Sequence, residues 1–125
     1  MKLNALVFVY GTLRRDEVNH HLLAGALYRG QHITEPCYKM VDLGAYPGVV
    51  KTGRTRIQGE VYQVCAAEMA TLDRLEGYPR DYIRELISTP WGRAWIYLYR
   101  GSLRDRKRIA GGLWRDTIFR RRWSR

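Results

Sequence analysis

Glu76 is a carboxylate at a position where a carboxylate is unexpected. Residues 66–75 hold three alanines among strong helix formers, and Gly77 stands where a helix would be capped. On that helix Met69, Leu72 and Glu76 fall at i, i+3 and i+7 and share one stripe, the one that faces the core. Glu76 therefore points toward the interior or a cavity beside it. It also sits at the negative end of the helix dipole, which disfavours its ionised form. Glu is rarely buried unless paired, so such a placement needs a reason. The alternatives are structural: an ion pair with Arg74, Arg80 or Arg84, or a helix end at Gly77 that lets Glu76 swing outward.

The second chemical feature is Tyr10-Gly11-Thr12-Leu13, directly after the apolar run 5–10. Glycine at the end of a buried strand lets backbone N–H groups approach a ligand that a Cβ would keep away. Glu60, in Gly59-Glu60-Val61-Tyr62, shares a strand face with Tyr62 and reads either as functional or as a solvated or cross-strand-paired charge. His20-His21 beside Asn19 suggests a base or a metal site. Adjacent histidines on a helix lie about 100° apart, however, and no third ligand stands at motif spacing. Cys37 and Cys65 show no CxxC pattern and read as reduced thiols packed as small apolar groups.

Positioning these residues requires a mostly β framework. Residues 5–10 (Ala-Leu-Val-Phe-Val-Tyr) are continuous, apolar and rich in β formers, as in a strand buried on both faces. Residues 14–26 suit a short helix or ordered loop, and 28–41 an edge or bent strand broken by Pro36. Residues 43–48 form a turn-rich loop, followed by Val49-Val50 and a polar, glycine-containing stretch over 51–56. Residues 57–64 alternate as a strand. Residues 82–89 and 93–100 form a hairpin around Pro90-Trp91-Gly92. The expected class is α+β, with a small mixed sheet curling toward a β-barrel and helices packed outside.

With 125 residues, of which 46% are hydrophobic, the chain is one domain with a sufficient core. No apolar run approaches a membrane span and no leader pattern precedes residue 5, so the expected setting is soluble and cytoplasmic. The net charge of +10 is uneven. Residues 104–125 carry nine Arg or Lys against two Asp, whereas residues 1–103 carry 13 against 10 acidic residues. The expected division is a domain over 1–103 and a basic segment over 104–125, docked through Ile109, Leu113, Trp114, Ile118 and Phe119 and ending in a mobile tail. Weak nucleic-acid binding by that tail, with stacking on Trp114 and Trp123, is an alternative function.

Read in order, Tyr10-Gly11-Thr12-Leu13 with Arg14 and Asn19, Tyr46-Pro47-Gly48-Val49, Gly59-Glu60-Val61-Tyr62, Leu72-Asp73 through Glu76-Gly77, Tyr82 with Arg84, and Trp95-Ile96-Tyr97-Leu98-Tyr99 form one pattern. That pattern resembles the gamma-glutamylcyclotransferase-like family, in particular its gamma-glutamylamine cyclotransferase-like branch. The resemblance implies a small mixed β-barrel with outer helices. It implies a metal-independent enzyme of the lyase or acyl-transfer kind that cyclises a gamma-glutamyl amide, releasing 5-oxoproline and a free amine. It places the catalytic carboxylate on Glu76 and the glutamyl-binding loop on Tyr10, Gly11, Thr12 and Leu13. Tyr82 and Tyr99 are expected to line the pocket, and a small gamma-glutamyl compound is the expected partner, with no cofactor or metal. A pocket kept for binding a metabolite without chemistry is the alternative. Gly77-Tyr78-Pro79-Arg80 departs from characterised relatives, so the resemblance leaves the amine side open.

Overall fold

The computed structural model describes residues 4–115. Strand β1 (Asn4–Val9) explains its unbroken apolar run by being buried on both sides. Val7 and Val9 enter one core cluster, Phe8 and Tyr10 the other, as strand alternation requires. After a loop and one 3₁₀ turn (His20–Leu23) come β2 (Leu27–Ile33), β3 (Tyr38–Asp42), β4 (Pro47–Thr55) and β5 (Gln58–Cys65). Helix α1 (Ala66–Glu76), β6 (Tyr82–Thr89), β7 (Gly92–Tyr99) and a short β8 (Lys107–Arg108) complete the described chain.

The strands form two sheets, one ordered β2-β5-β1-β7-β6 and one ordered β4-β3-β8. In the larger sheet β1 lies antiparallel to β5 and parallel to β7. Among the described residues no ladder joins the two sheets, so they are not closed into the expected barrel. The cause is visible at Pro36. Residues 28–41 divide there into β2 and β3, which belong to different sheets, and the break that the proline predicts is a change of sheet.

One core lies between the sheets, where Phe8, Met40, Val49, Ile57, Val61, Ile96 and Trp114 pack together. The other lies on the opposite face, where Val7, Val9, Leu23, Val64, Met69 and Leu72 seat α1 and the 3₁₀ turn. The start of the basic C-terminal segment is part of this framework. β8 pairs with β3, the Ile109 N–H donates to the Met40 carbonyl at 2.8 Å, and Trp114 is fully buried. Ile118, Phe119, Arg120, Arg121, Arg122 and Trp123 lie outside the described residues. Cys37 and Cys65 are free thiols. No helix among the described residues is long and apolar enough to cross a membrane.

Candidate active site

A cavity of about 390 Å³ opens where β1 ends, between the loop that follows it, the start of β4, the last turn of α1 and the β6–β7 hairpin. This is the size range of small-molecule sites. Tyr10, Gly11, Thr12 and Leu13 form one wall. The turn there is closed by the Arg14 N–H on the Gly11 carbonyl (3.1 Å) and by the Asn19 N–H on the Thr12 carbonyl (2.8 Å). Asn19 Nδ2 also donates to Thr12 Oγ1 at 2.9 Å. Among the described residues no hydrogen bond takes the N–H of Gly11, Thr12 or Leu13, so that wall presents backbone donors. Gly11 has a packing reason as well: a Cβ there would lie 2.9 Å from the Pro47 ring.

Glu76 lies across the cavity as the last residue of α1. The helix stops there because Gly77 turns left-handed (φ 67°), its N–H reaching the Arg74 carbonyl while the Tyr78 N–H reaches the Asp73 carbonyl. Met69 and Leu72 on the same stripe are buried, which aims Glu76 inward. Among the described residues its carboxylate enters no hydrogen bond and no ion pair. Desolvation pushes its pKa up from 4.5 to about 7.

The arginines that might have neutralised Glu76 are occupied or exposed. Arg84 forms a two-pronged pair with Asp73, at 3.0 and 3.1 Å, while stacking on Tyr78 and Trp95. Its neighbours in sequence are engaged elsewhere: Glu85 pairs with Lys51, and Asp81 lines the cavity. Arg74 donates to Thr71, and Arg80 is exposed.

Three phenols complete the inner wall. Tyr10 donates to the Tyr97 carbonyl (2.6 Å), Tyr82 to the Pro47 carbonyl (2.8 Å) and Tyr97 to Asp73 Oδ1 (2.7 Å). Burial, followed for Tyr82 by the Glu76 charge and for Tyr97 by its bond to Asp73, holds these hydroxyls protonated far above neutral pH. Tyr99, expected in the wall, is outside it. Its ring packs behind Tyr82 at 5.4 Å and against Gly48.

Glu60 also lies outside the lining. Its Oε1 accepts the Arg15 N–H (2.9 Å) and the Tyr62 hydroxyl (3.0 Å), tying the loop after β1 to β5. His20 Nδ1 contacts the Leu13 carbonyl at 3.0 Å and supports the same loop from behind. No group of three or more His, Cys, Asp or Glu among the described residues is arranged to hold a metal ion.

The family model described as "Gamma-glutamyl cyclotransferase, AIG2-like" matches residues 7–116, which include the whole cavity wall. The chain belongs to this family. A Vibrio cholerae protein named "Putative gamma-glutamylcyclotransferase" is 49% identical over 113 residues, covering 90% of this chain and 97% of that protein. The Escherichia coli K12 "Gamma-glutamylcyclotransferase family protein YtfP" is 39% identical over 88% of this chain and 96% of its own. Among solved structures, an uncharacterised protein from Pyrococcus horikoshii superposes with a TM-score of 0.80 at 27% identity, covering 96% of this chain and 98% of that one.

Within this gamma-glutamyl cyclotransferase, AIG2-like framework, Tyr97, Asp81, Val18 and Leu75 line the cavity although sequence reasoning did not single them out for it. Tyr97 was hidden because it reaches the site through the parallel pairing of β7 with β1, a contact between distant segments. Leu75 and Val18 carried a usable signal, each being an apolar residue beside a motif residue.

Proposed function

We propose that this protein cyclises a gamma-glutamyl amide. The substrate's α-amine attacks its own γ-carbonyl carbon. The new C–N bond closes the five-membered lactam, the old amide C–N bond breaks, and 5-oxoproline and a free amine leave. Glu76 takes one proton from the α-ammonium and delivers it to the departing nitrogen; the regenerated carboxylate then takes the second proton that the ring nitrogen must lose and passes it to the released amine, which leaves as its ammonium. The observation that carries this reading is the Glu76 carboxylate itself: desolvated, unpaired among the described residues, facing a cavity, with its pKa raised to about 7. A base poised near the working pH combines the correct protonation state with useful proton affinity.

The wall opposite is suited to the substrate's anionic parts. The N–H groups of Gly11, Thr12 and Leu13 are available to the α-carboxylate or to the oxyanion that develops on the carbonyl. Tyr10, Tyr82 and Tyr97 spend their hydroxyl protons on backbone or Asp73 acceptors, so their contribution is the shape of the wall. That shape holds the glutamyl chain folded, and intramolecular attack then draws its advantage from positioning already made in the bound state.

The test is 5-oxoproline release from a panel of gamma-glutamyl amides, with Glu76→Gln beside the wild type. Release by the wild type and a loss of at least about 100-fold in the variant support the reading. Binding without release from any compound would instead assign the cavity to holding a gamma-glutamyl metabolite.

A further inference from the structure

Asp73 stands one turn before Glu76 on α1, and three donors meet on its side chain. Arg84 Nε reaches Oδ1 at 3.0 Å, Arg84 Nη2 reaches Oδ2 at 3.1 Å, and the Tyr97 hydroxyl donates to Oδ1 at 2.7 Å. The Asp73 backbone carbonyl accepts the Tyr78 N–H at 2.9 Å, closing the turn that ends the helix at Glu76. Arg84 meanwhile lies 4.4 Å from the Trp95 ring centroid and 4.7 Å from that of Tyr78. One ion pair thus fastens the last turn of α1 to β6, to β7 and to the chain that leaves Glu76. Its side chains are only 18% and 21% exposed, so water screens it less than a surface pair.

The same pair governs charge near the base. Asp73 and Glu76 are i,i+3 neighbours, about 5–6 Å apart at Cβ in a regular helix. The Tyr97 hydroxyl lies within electrostatic reach of Asp73, Glu76 and Arg84 alike. After burial and its bond to Asp73, the Glu76 charge pushes its pKa up and the Arg84 charge pulls it down. Lining the cavity with Glu76 are Tyr10 from the end of β1, Tyr46 from the loop before β4, Tyr82 from β6 and Tyr97 from β7. Asp81, just before β6, is the other charged group of that lining among the described residues, and it is exposed. Arg74 and Arg80 are exposed as well. Arg84 is therefore the cation best placed to neutralise Glu76, and Asp73 holds it in a different pair. An Arg84 charge released beside Glu76 would favour the carboxylate and weaken its hold on a proton.

We propose that Asp73 is a positioning residue for the base: by pairing with Arg84 it fixes the end of α1 and withholds the arginine's charge from Glu76. Its consequence for turnover rests on the cyclotransferase reading of the same cavity; its effect on the Glu76 proton does not.

The Glu76 proton is read without turnover by carbon-13 NMR titration of the glutamate carboxyls between pH 4 and 9, with Glu76→Gln marking the signal. The wild-type midpoint is expected at about 7. Asp73→Asn, which frees Arg84, should lower it by at least about one unit. Arg84→Met removes the cation but keeps an apolar stem against Tyr78 and Trp95, and should leave the midpoint at about 7 or above. The double variant should return to within about half a unit of the wild type. A pair that only braced the fold would, once broken, admit water to Glu76 and lower the midpoint in all three variants. That pattern overturns the proposal, as does an unmoved midpoint in Asp73→Asn. Arg84→Met and the double variant carry the same distinction if Asp73→Asn does not fold. The acid limb of 5-oxoproline release should follow the NMR order. The two readings fail separately. The expected NMR order without 5-oxoproline release upholds the role of Asp73 and removes the reaction. Release by the wild type with an unmoved NMR midpoint in Asp73→Asn upholds the reaction and removes the role of Asp73.

Discussion

Two carboxylates flank the loop after β1, and they have opposite surroundings. Glu60, on β5, is buried and satisfied: a backbone N–H and a phenol both donate to its Oε1. Glu76, at the end of α1, is desolvated with no donor among the described residues. The contrast separates a residue that builds the site from one that is free to act in it. A carboxylate held by fixed donors stabilises the fold by tying the elements that supply them. A carboxylate deprived of donors costs stability when charged, and that cost is what makes it a base near neutral pH.

The contrast breaks most easily at turnover. Glu76→Gln preserves size and should lower 5-oxoproline release by at least about 100-fold, as measured by steady-state kinetics. Next in size is the pH dependence of stability. Glu76 has a folded pKa of about 7 against an ordinary value of 4.5, so the unfolded chain ionises it first as pH rises. Its contribution is fully present below about 4.5 and is lost as pH rises through about 7. Wild type should therefore give up about 2–3 kcal/mol between pH 5 and 8 that Glu76→Gln keeps, a difference visible in denaturant melts at the two pH values.

Glu60→Ala should act in the opposite direction. It leaves the Arg15 N–H and the Tyr62 hydroxyl without their acceptor and should cost about 1–3 kcal/mol of stability. A melt showing Glu60→Ala neutral, or Glu76→Gln as destabilising at pH 8, would erase the distinction between the two residues. The smallest effect is expected from Tyr62→Phe. It removes one of the two donors to Glu60 and should cost about 1 kcal/mol, again by denaturant melt, with 5-oxoproline release largely kept.

How far the sequence reveals this site depends on the range of the contacts involved. The Met69, Leu72, Glu76 stripe is local, so helical spacing alone aims Glu76 at the interior, and Gly77 marks where α1 ends. The continuous run before Tyr10 reads as a doubly buried strand for the same local reason. Tyr97 and Tyr99 show the limit. They lie on one face of β7 and enter the same core cluster, yet Tyr97 lines the cavity and Tyr99 packs behind Tyr82. Alternation identifies a strand face, but depth along the strand is set by pairing with β1, which comes from the far end of the chain. Closure of the sheets is not legible for a related reason. Bends at Pro and Gly show that the strands turn, and only long-range pairing decides whether the edges meet. Arg84 belongs here too, since its partner Asp73 is on another element, whereas its sequence neighbours Asp81 and Glu85 are not its partners.

The central claim is that Glu76 acts as a base because the fold has desolvated it. Its most direct test is kcat/KM for 5-oxoproline release from a gamma-glutamyl amide between pH 5 and 9. The account predicts an acid limb with a midpoint at about pH 7 in the wild type, with Glu76→Gln at least about 100-fold lower at the plateau. A rate that stays level down to pH 5, or a Gln variant that keeps the wild-type rate, would contradict it.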